Sequence, residues 1–494
     1  MARPSVTFYG GVKEIGGNMF LVEDKGTRVF LDFGMPMGRA GNYFWDYIQP
    51  RDFNGMGDLM EFGLLPRVEG IYRRDFSKHS GFGDDRAETS VDAVLLSHAH
   101  VDHVGYVNYL RPEIPVYCSE ATRLIVQALD DSSNYGYLSY QEMFRAYVNK
   151  QGAMSRARSS ENREEVPRKV EVFTPGKPFA VGSIEVEPVP IDHSLPGVSG
   201  FILHTSAGSL ACTADIRFHG RRRKESEGFV ERCAKSELDV LLCEGTRVDR
   251  VGSSTEMDVE QGVEKVIADT KGLVVATYPV RDLDRLLSFY RASVAANRDL
   301  VVDVRQAHIL DLFAESEAAK GKYPEADGKR VKVYLPRKGW GLLGKKGDWD
   351  DKLKAEDYRQ LEREVFESGD YVDYEYVRAH QRDSVFFLSD YRLQELIDVR
   401  PVPGSAYVRS TTEPFDLEQE ENEKKIRGWT EHFGLKWTLE RLHVSGHGDQ
   451  TQIRKVVEGA EADKLIPVHT VHEEMFKGWH DDVQLVSLNQ RVEL

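Results

Sequence analysis

The sequence predicts an α/β protein in two lobes, one inserted into the other. Three observations lead there. The chain has 494 residues, enough for two or three domains of roughly 150 residues each. A continuous apolar block, Val91-Asp-Ala-Val-Leu-Leu-Ser97, reads as a buried strand that runs straight into a histidine-rich turn. After Glu244 the pattern changes to strands alternating with helices, which implies a parallel sheet. With 40% hydrophobic and 30% charged residues, the chain is ordinary globular material, neither disordered nor fibrous.

The elements follow in order. Val6–Tyr9, Met19–Val22 and Thr27–Phe33 are β-rich and are separated by the turn signals Gly10-Gly11 and Gly16-Gly17. The glycine pairs lack the strand–loop–Lys–Ser/Thr order of a phosphate-binding loop, so that reading is set aside. From Met35 to Ser90 the pattern decays into Gly, Asp, Arg and isolated aromatics, which predicts a long ornamented loop with short helices. The Val91–Ser97 strand should be followed by a helix from about Asp102 through Leu110. Residues 151–169 are polar and Ser/Arg-rich, an exposed connection. Short strands are expected at Val170–Phe173, Ile184–Pro190, Gly200–Thr205, Ser209–Thr213 and Asp239–Cys243. Thr255–Ile267 has helical spacing, with Val259, Val263 and Val266 on one face behind a Ser/Thr cap. A strand at Leu273–Thr277, a helix at Leu283–Ala296 and a strand at Leu300–Val304 continue the second lobe. That lobe is expected to end at the Pro-rich Arg400–Ser405, with a strand at Ala406–Arg409, a helix at Glu423–Phe433 and the segment Leu442–His469 beyond it.

Composition excludes several classes. No apolar run approaches the roughly 20 residues of a membrane span, and the start has no apolar leader region, so no membrane association is expected. Four scattered cysteines are too few for a disulfide framework or a Cys-x-x-Cys metal site, which favours a cytoplasmic protein. With 65 Lys+Arg against 81 Asp+Glu, the net charge of −16 argues against a general nucleic-acid coat while leaving room for a local basic channel.

The strongest chemical signal is Ser97-His-Ala-His-Val-Asp-His103, directly after a buried strand. His98 and His100 alternate, so in an extended loop both point the same way. Asp102 and His103 begin the next helix and face back across the gap, a layout that suits two metals side by side. Further ligands should then sit at other strand ends: Asp192-His-Ser194, Thr213-Ala-Asp215 and Pro467-Val-His469. Each alone is weak; the set of four is strong.

These residues resemble the metallo-β-lactamase fold, an αββα sandwich whose His-x-His-x-Asp-His loop is followed by a distant His, an Asp and a final His. The resemblance implies that His98, His100 and His193 hold one zinc, that Asp102, His103 and His469 hold the other, and that Asp215 bridges them, with a hydroxide between. Asp32, ending Val29-Phe-Leu-Asp32, matches the first motif, where the carboxylate braces the metal loop from behind. Imidazole with a few carboxylates fits two Zn²⁺ per chain best, with Mn²⁺ or iron as alternatives. The 253 residues between Asp215 and His469 exceed what one strand–helix return requires. This spacing resembles the β-CASP nuclease group, in which an α/β lobe is inserted late in the metallo-β-lactamase domain. The expected division is a metallo-β-lactamase domain at 1–248 and 403–494 with a β-CASP lobe at 249–402.

Leu241-Leu-Cys-Glu-Gly-Thr246 matches that group's first added motif at Glu244, His443-Val-Ser-Gly-His447 the second and Pro467-Val-His469 the third. Histidine in the third motif favours RNA over DNA. Gly10-Gly-Val-Lys-Glu-Ile-Gly-Gly-Asn18 adds a likeness to ribonuclease J, which implies hydrolysis of single-stranded RNA, 5′→3′ from the end, internally or both, and a homodimer or RNA-decay complex as the setting. Two departures stand out. The chain stops 25 residues after His469, without room for the C-terminal domain of many such enzymes, and Thr277-Tyr-Pro-Val-Arg-Asp282 replaces the usual Ser-Asn pair.

By position, Asp102 and Asp215 belong to the catalytic centre as metal ligands. His447 is expected as the general acid, with Glu244 fixing its tautomer. His443, Ser445 and Gly446 are expected to offer donors to a substrate phosphate, with Arg281 supplying the charge lost with the Ser-Asn pair; a core histidine is the alternative for His443. Two basic clusters, Lys329–Lys346 with Tyr334 and Trp340 interleaved and Arg217 with Arg221–Lys224, are expected either to carry RNA or to be ordinary surface charge. The competing functions are a repair-type DNA nuclease on the same scaffold, a small-molecule metallo-hydrolase such as a lactonase or thioesterase, and a catalytically dead RNA-binding subunit.

Overall fold

Three sheets organise the computed structural model, which describes residues 3–44, 47–77, 80–82, 88–133, 135–141, 146–148, 152, 154–156, 165–252, 254–342, 349–414, 417–438 and 441–494. The first has seven strands in the order Val170–Phe173, Val116–Ser119, Ala93–Leu95, Thr27–Leu31, Phe20–Asp24, Ser5–Phe8 and Arg491–Glu493. The second has six, in the order Phe179–Val181, Ile184–Pro190, Ser199–His204, Ser209–Cys212, Val240–Glu244 and Lys464–Val468. Alternation along the strands turns one set of apolar side chains of each sheet into a shared interior. Phe8, Phe20, Val29, Leu31 and Leu95 there meet Phe201, Leu203, Leu210, Leu242 and Ile466. The helices Arg223–Ala234 and Gln450–Ala460 pack on each other beside the second sheet, and Glu120–Ser133 lies against the first. The result is the expected sandwich of two sheets with helices outside.

The third sheet is the inserted lobe. Its order is Val331–Tyr334, Asp299–Asp303, Ser384–Phe387, Val274–Thr277, Ala406–Arg409 and Lys436–Trp437, parallel throughout. The expected boundary at 402/403 is corrected by this pairing. Ala406–Arg409 bonds to Val274–Thr277, and Lys436–Trp437 bonds to Ala406–Tyr407. The Pro-rich Arg400–Ser405 is therefore a turn within the lobe, with Arg400 and Gly404 left-handed at φ 52° and 87°. The lobe's sheet continues to Trp437, and the chain returns to the sandwich only after it.

Local expectations are met with two adjustments. Thr255 caps the helix Glu256–Asp269 reciprocally with Asp258, and Ile267 rather than Val266 completes its buried face with Val259 and Val263. The helix expected from Asp102 to Leu110 is a single turn, Val101–Val104, followed by a 3₁₀ turn at Val107–Tyr109. Residues 36–90 carry short helices at Met37–Gly41, Gly57–Glu61 and Arg74–Ser77, as the loop reading requires. Of the polar connection 151–169, residues 151, 153 and 157–164 lie outside the described residues. Among the described residues, no helix is long and apolar enough to cross a membrane.

Strand direction positions the site. Thr27–Leu31 runs parallel to Ala93–Leu95, and Ser209–Cys212 runs parallel to Val240–Glu244 and Lys464–Val468. Asp32, Ser97-His98, Asp215, Glu244 and His469 all stand at or just past carboxyl ends of these strands. The glycines of the first motifs serve packing, not phosphate. A Cβ on Gly34 would lie 1.7 Å from the Asp102 carbonyl oxygen, and one on Gly16 would lie 2.6 Å from the Asp102 side chain. Gly34→Ala should therefore displace the 98–103 loop and cost about 1–3 kcal/mol. The check is a lowered denaturant midpoint for the purified variant; an unchanged midpoint would contradict the packing assignment.

Candidate metal centre

Seven side chains from four chain segments converge on one point. His98 Nε2 lies 3.0 Å from His100 Nδ1, and His100 Nδ1 lies 3.1 Å from His193 Nε2. Asp215 Oδ2 is 3.6 Å from His98 Nε2 and 3.7 Å from His193 Nε2. On its other side, Asp215 Oδ2 is 3.2 Å from His103 Nε2, and Asp215 Oδ1 is 3.6 Å from His469 Nε2. Asp102 Oδ2 completes that group, 3.2 Å from His469 Nε2 and 3.8 Å from His103 Nε2. Two sets of four donors thus share Asp215, and within each set every donor atom lies within 4.8 Å of the others.

The donor chemistry fits metal ions. Both Asp215 oxygens and His103 Nε2 are buried without a hydrogen-bond partner, a costly state for a carboxylate unless a cation completes it. Ligands about 2.0–2.1 Å from a tetrahedral zinc stand roughly 3.3 Å from one another, close to the spacings seen. The outward nitrogen of four ligating rings is also engaged. His193 Nδ1 donates to the Gly446 carbonyl, His103 Nδ1 faces Asp32 Oδ2 at 2.7 Å, His98 Nδ1 faces Ser97 Oγ at 3.0 Å, and His469 Nδ1 faces Thr246 Oγ1 at 2.7 Å. Such partners fix each tautomer so that the inward nitrogen carries a free lone pair. His/Asp sites of this kind support a metal cofactor.

Backbone geometry aims the side chains. Asp32, Ala214 and His469 are left-handed, at φ 56°, 47° and 52°, so the chain turns sharply where each strand meets the site. Asp32 braces the histidine loop: besides His103, its carboxylate accepts the Ser97 N–H at 2.7 Å and the Ser97 hydroxyl at 2.8 Å. The His469 N–H donates to the Gly11 carbonyl at 2.7 Å, which gives the first glycine loop its place under the third motif.

Electrostatics divide the rings into two classes. Burial holds His98, His100 and His193 in the neutral, metal-ligating form, with His100 pushed down to about 3. For His103 and His469 burial works the same way and is the largest single effect, but the carboxylates together outweigh it and raise both: Asp215, Asp32 and Asp102 for His103, Asp215 and Asp102 for His469. Burial also opposes charge on His447, yet Glu244 and Asp215 raise it to about 9.

The remaining expected residues are placed as follows. His447 Nδ1 lies 3.1 Å from Glu244 Oε1, and its Nε2 is 3.8 Å from Asp215 Oδ2. Glu244 is fixed in turn by the N–H groups of Ile216 and Thr246, each at 3.0 Å. Glu244, His447 and His469 also form a third grouping of donors within 4.8 Å. Ser445 Oγ accepts the His447 N–H at 3.1 Å and so braces its own motif, while the Gly446 carbonyl holds His193. His443 Nδ1 meets Arg285 at 3.1 Å, while its Nε2 is buried without a partner. Arg281 donates to the Ala99 carbonyl at 3.0 Å, between two of the ligating histidines. Sequence reasoning missed Ser97 and Thr246 as ring partners. Their signal was present, since each is a hydroxyl inside a motif already singled out.

The basic clusters turn out to be largely paired. Arg217 is fully buried against Asp192 and Asp284, Arg221 pairs with Glu260, and Arg222 pairs with Asp284. In the second cluster, Arg330 and Lys332 face Asp299, Arg337 faces Asp398, Lys338 faces Glu362, and Tyr334 is buried on Glu395. Lys345 and Lys346 lie outside the described residues. Acidic residues distant in sequence supply the partners, which a local charge count does not see. For the centre itself, Asp32→Asn should weaken metal retention about 10–100-fold, the usual effect of removing a ligand's outer partner. Chelator competition against the parent protein is the check, and equal retention would contradict the bracing role.

Comparison with known proteins agrees with this geometry. Residues 75–276 match the β-lactamase superfamily domain, and residues 435–477 match the Zn-dependent metallo-hydrolase RNA specificity domain. The chain is 24% identical over 391 residues to ribonuclease J of Sinorhizobium meliloti, covering 77% of this chain and 58% of the relative. It is 27% identical over 301 residues to ribonuclease J of Mycolicibacterium smegmatis (59% and 43%), so the matches span about half the length of these two relatives. Ribonuclease J of Pyrococcus abyssi is 23% identical over 487 residues, with 93% and 88% covered. A solved structure of a protein of unknown function from Enterococcus faecalis V583 has the same fold over both full chains, with a TM-score of 0.71 at 20% identity. The chain has a metallo-β-lactamase fold with an inserted α/β lobe and is similar to ribonuclease J.

Proposed function

We propose that this protein is a ribonuclease that hydrolyses phosphodiesters of single-stranded RNA with two metal ions, zinc by preference, held around Asp215. The observation that carries the reading is the shared carboxylate: two four-donor sets meet at one buried Asp whose oxygens have no other partner. His98, His100 and His193 with Asp215 would hold one ion, and Asp102, His103 and His469 with Asp215 the other. Two such ions activate a water and neutralise charge on the scissile phosphate.

The chain's own residues do the rest. His447 stands beside the centre with Nδ1 tied to Glu244, which leaves Nε2 to donate a proton to the departing 3′ oxygen. Glu244 orients the ring and stabilises its charged form. The orphan Nε2 of His443 and the hydroxyl of Ser445 are the nearest candidates to grasp a 5′ phosphate, with Arg281 contributing charge. The RNA-specificity match at 435–477 covers His443, Ser445, His447 and His469, which supports RNA over DNA. A cleft of about 420 Å³ has a mixed-charge lining, with Arg305, Lys338, Arg359 and Arg392 set against Asp131, Asp303 and Glu362, and Tyr391 at its edge. Tyr391 is 93% exposed there, a ring free to stack on a base. Four buried, unpaired cysteines suit a reducing compartment, which supports work on cytoplasmic RNA.

Variants separate the roles. Asp215→Ala should lose metal and all activity. His447→Ala should keep both ions and bind RNA, while cleaving about 10²–10⁴-fold more slowly. Loss of metal from His447→Ala would instead make it a ligand, through the Glu244–His447–His469 grouping. Single-turnover cleavage of matched RNA and DNA oligomers tests the substrate, and faster cutting of DNA would overturn the RNA reading. Ser445→Ala and Arg281→Ala should each slow cutting of 5′-monophosphorylated RNA while sparing circular RNA, which has no end. Equal rates on both RNAs, with both variants silent, would identify a purely internal cutter.

A further inference from the structure

We infer that the first turn of the helix Leu283–Ala295, together with Arg281 just before it, positions the metal ligands and makes ion retention depend on docking of the inserted lobe. The inference deepens the metal-centre reading and rests on it. Arg281 and two side chains of this turn reach two ligand loops and the His443–His447 loop beside them. Arg281 donates to the Ala99 carbonyl, between His98 and His100. Asp284 accepts from Arg222 at 2.9 Å, and Arg222 donates to the carbonyls of His193 and Leu195, each at 2.9 Å. Arg285 lies 3.1 Å from His443 Nδ1 and 3.5 Å from the Val444 carbonyl, at the head of the loop whose Gly446 carbonyl holds His193.

The contacts are buried and charged, which gives them stiffness. Arg217 and Arg285 are 0% exposed and Asp284 is 1% exposed. Arg285 forks onto Glu256 at 2.8 and 3.1 Å, anchoring the turn to the neighbouring lobe helix. Arg217 ties the same turn to the sandwich, 3.6 Å from Asp284, 3.4 Å from Asp192 and donating to the Ser445 carbonyl at 3.1 Å. Asp192 adjoins His193, and Ser445 adjoins Gly446, so each tie ends next to a ligand or its partner. A surface ion pair would tolerate slack; a buried, bidentate one holds its partners in a single geometry. Asp284, Arg285, Arg217 and Arg222 are positioning residues, since none touches the metal position itself.

The test reads metal retention without RNA, by competing zinc from the purified full chain with a chromogenic chelator. Asp284→Asn keeps the side-chain shape and removes its charge; Arg222→Gln removes the guanidinium and its charge on the sandwich side. Each should weaken retention of zinc about 10–100-fold, and the double variant should be no weaker than the poorer single one, because both cut one connection. Phe289→Leu, a cavity in the next turn of the same helix at a fully buried position, is the matched destabilised control. It should lower the melting midpoint and leave zinc affinity at the parent's level. Parent-like retention by Asp284→Asn would overturn the inference, as would equal zinc loss from Phe289→Leu or a parent chain that holds no zinc. If zinc behaves as expected and the parent cleaves no RNA, the ribonuclease reading fails alone.

Discussion

One buried carboxylate organises this molecule. Asp215 is 1% exposed, accepts no hydrogen bond and lies 3.2–3.8 Å from nitrogens of five imidazoles. Isolated in a low-dielectric interior, that charge is strongly unfavourable. Everything around it reads as compensation or aim. Parallel strands deliver the donors to one rim, left-handed residues turn the side chains inward, and outward hydrogen bonds fix the ring tautomers. The requirement for cations reaches back to the glycines at 16 and 34, which exist without a Cβ so that the Asp102 turn can approach.

The inserted lobe belongs to the same argument. Its sheet is an ordinary parallel one with its own apolar layer, Val275, Val301, Phe386 and Tyr407 among it. Its coupling to the sandwich is apolar in part, through the packed helices Glu120–Ser133 and Val304–Glu315 and a core that runs across both, and polar in part: buried arginines and acids around the start of one helix, laid against the backbone of the ligand loops. Apolar contact alone would let the lobes slide; charge paired at fixed donor angles does not. The lobe lines most of the cleft, and its Arg281 lies against the backbone of the histidine loop.

Sequence made the chemistry legible and the lobe's edges much less so. Strand alternation and apolar blocks placed the sandwich strands because burial on one face leaves a local record. The seven candidate ligands could be listed because they end strands, and the structure brings all seven together. Local spacing failed where the deciding partner is remote. Arg400–Ser405 looked like a linker because proline and glycine mark turns of every kind, and only pairing of Ala406–Arg409 with Val274–Thr277 reveals a turn inside one sheet. The cluster at Arg217–Lys224 looked basic because Asp192, Glu260 and Asp284 lie elsewhere in the chain. Likewise the short helix at Val101–Val104 ends at Gly105, whose N–H closes the last turn on the Val101 carbonyl at 2.7 Å.

The most direct measurement of the central claim is anomalous X-ray scattering from crystals of zinc-loaded protein. Two peaks about 3.5–4 Å apart are predicted, flanking Asp215, one among His98, His100 and His193 and the other among Asp102, His103 and His469. A single peak beside Glu244 and His447, or none near Asp215, would contradict the account.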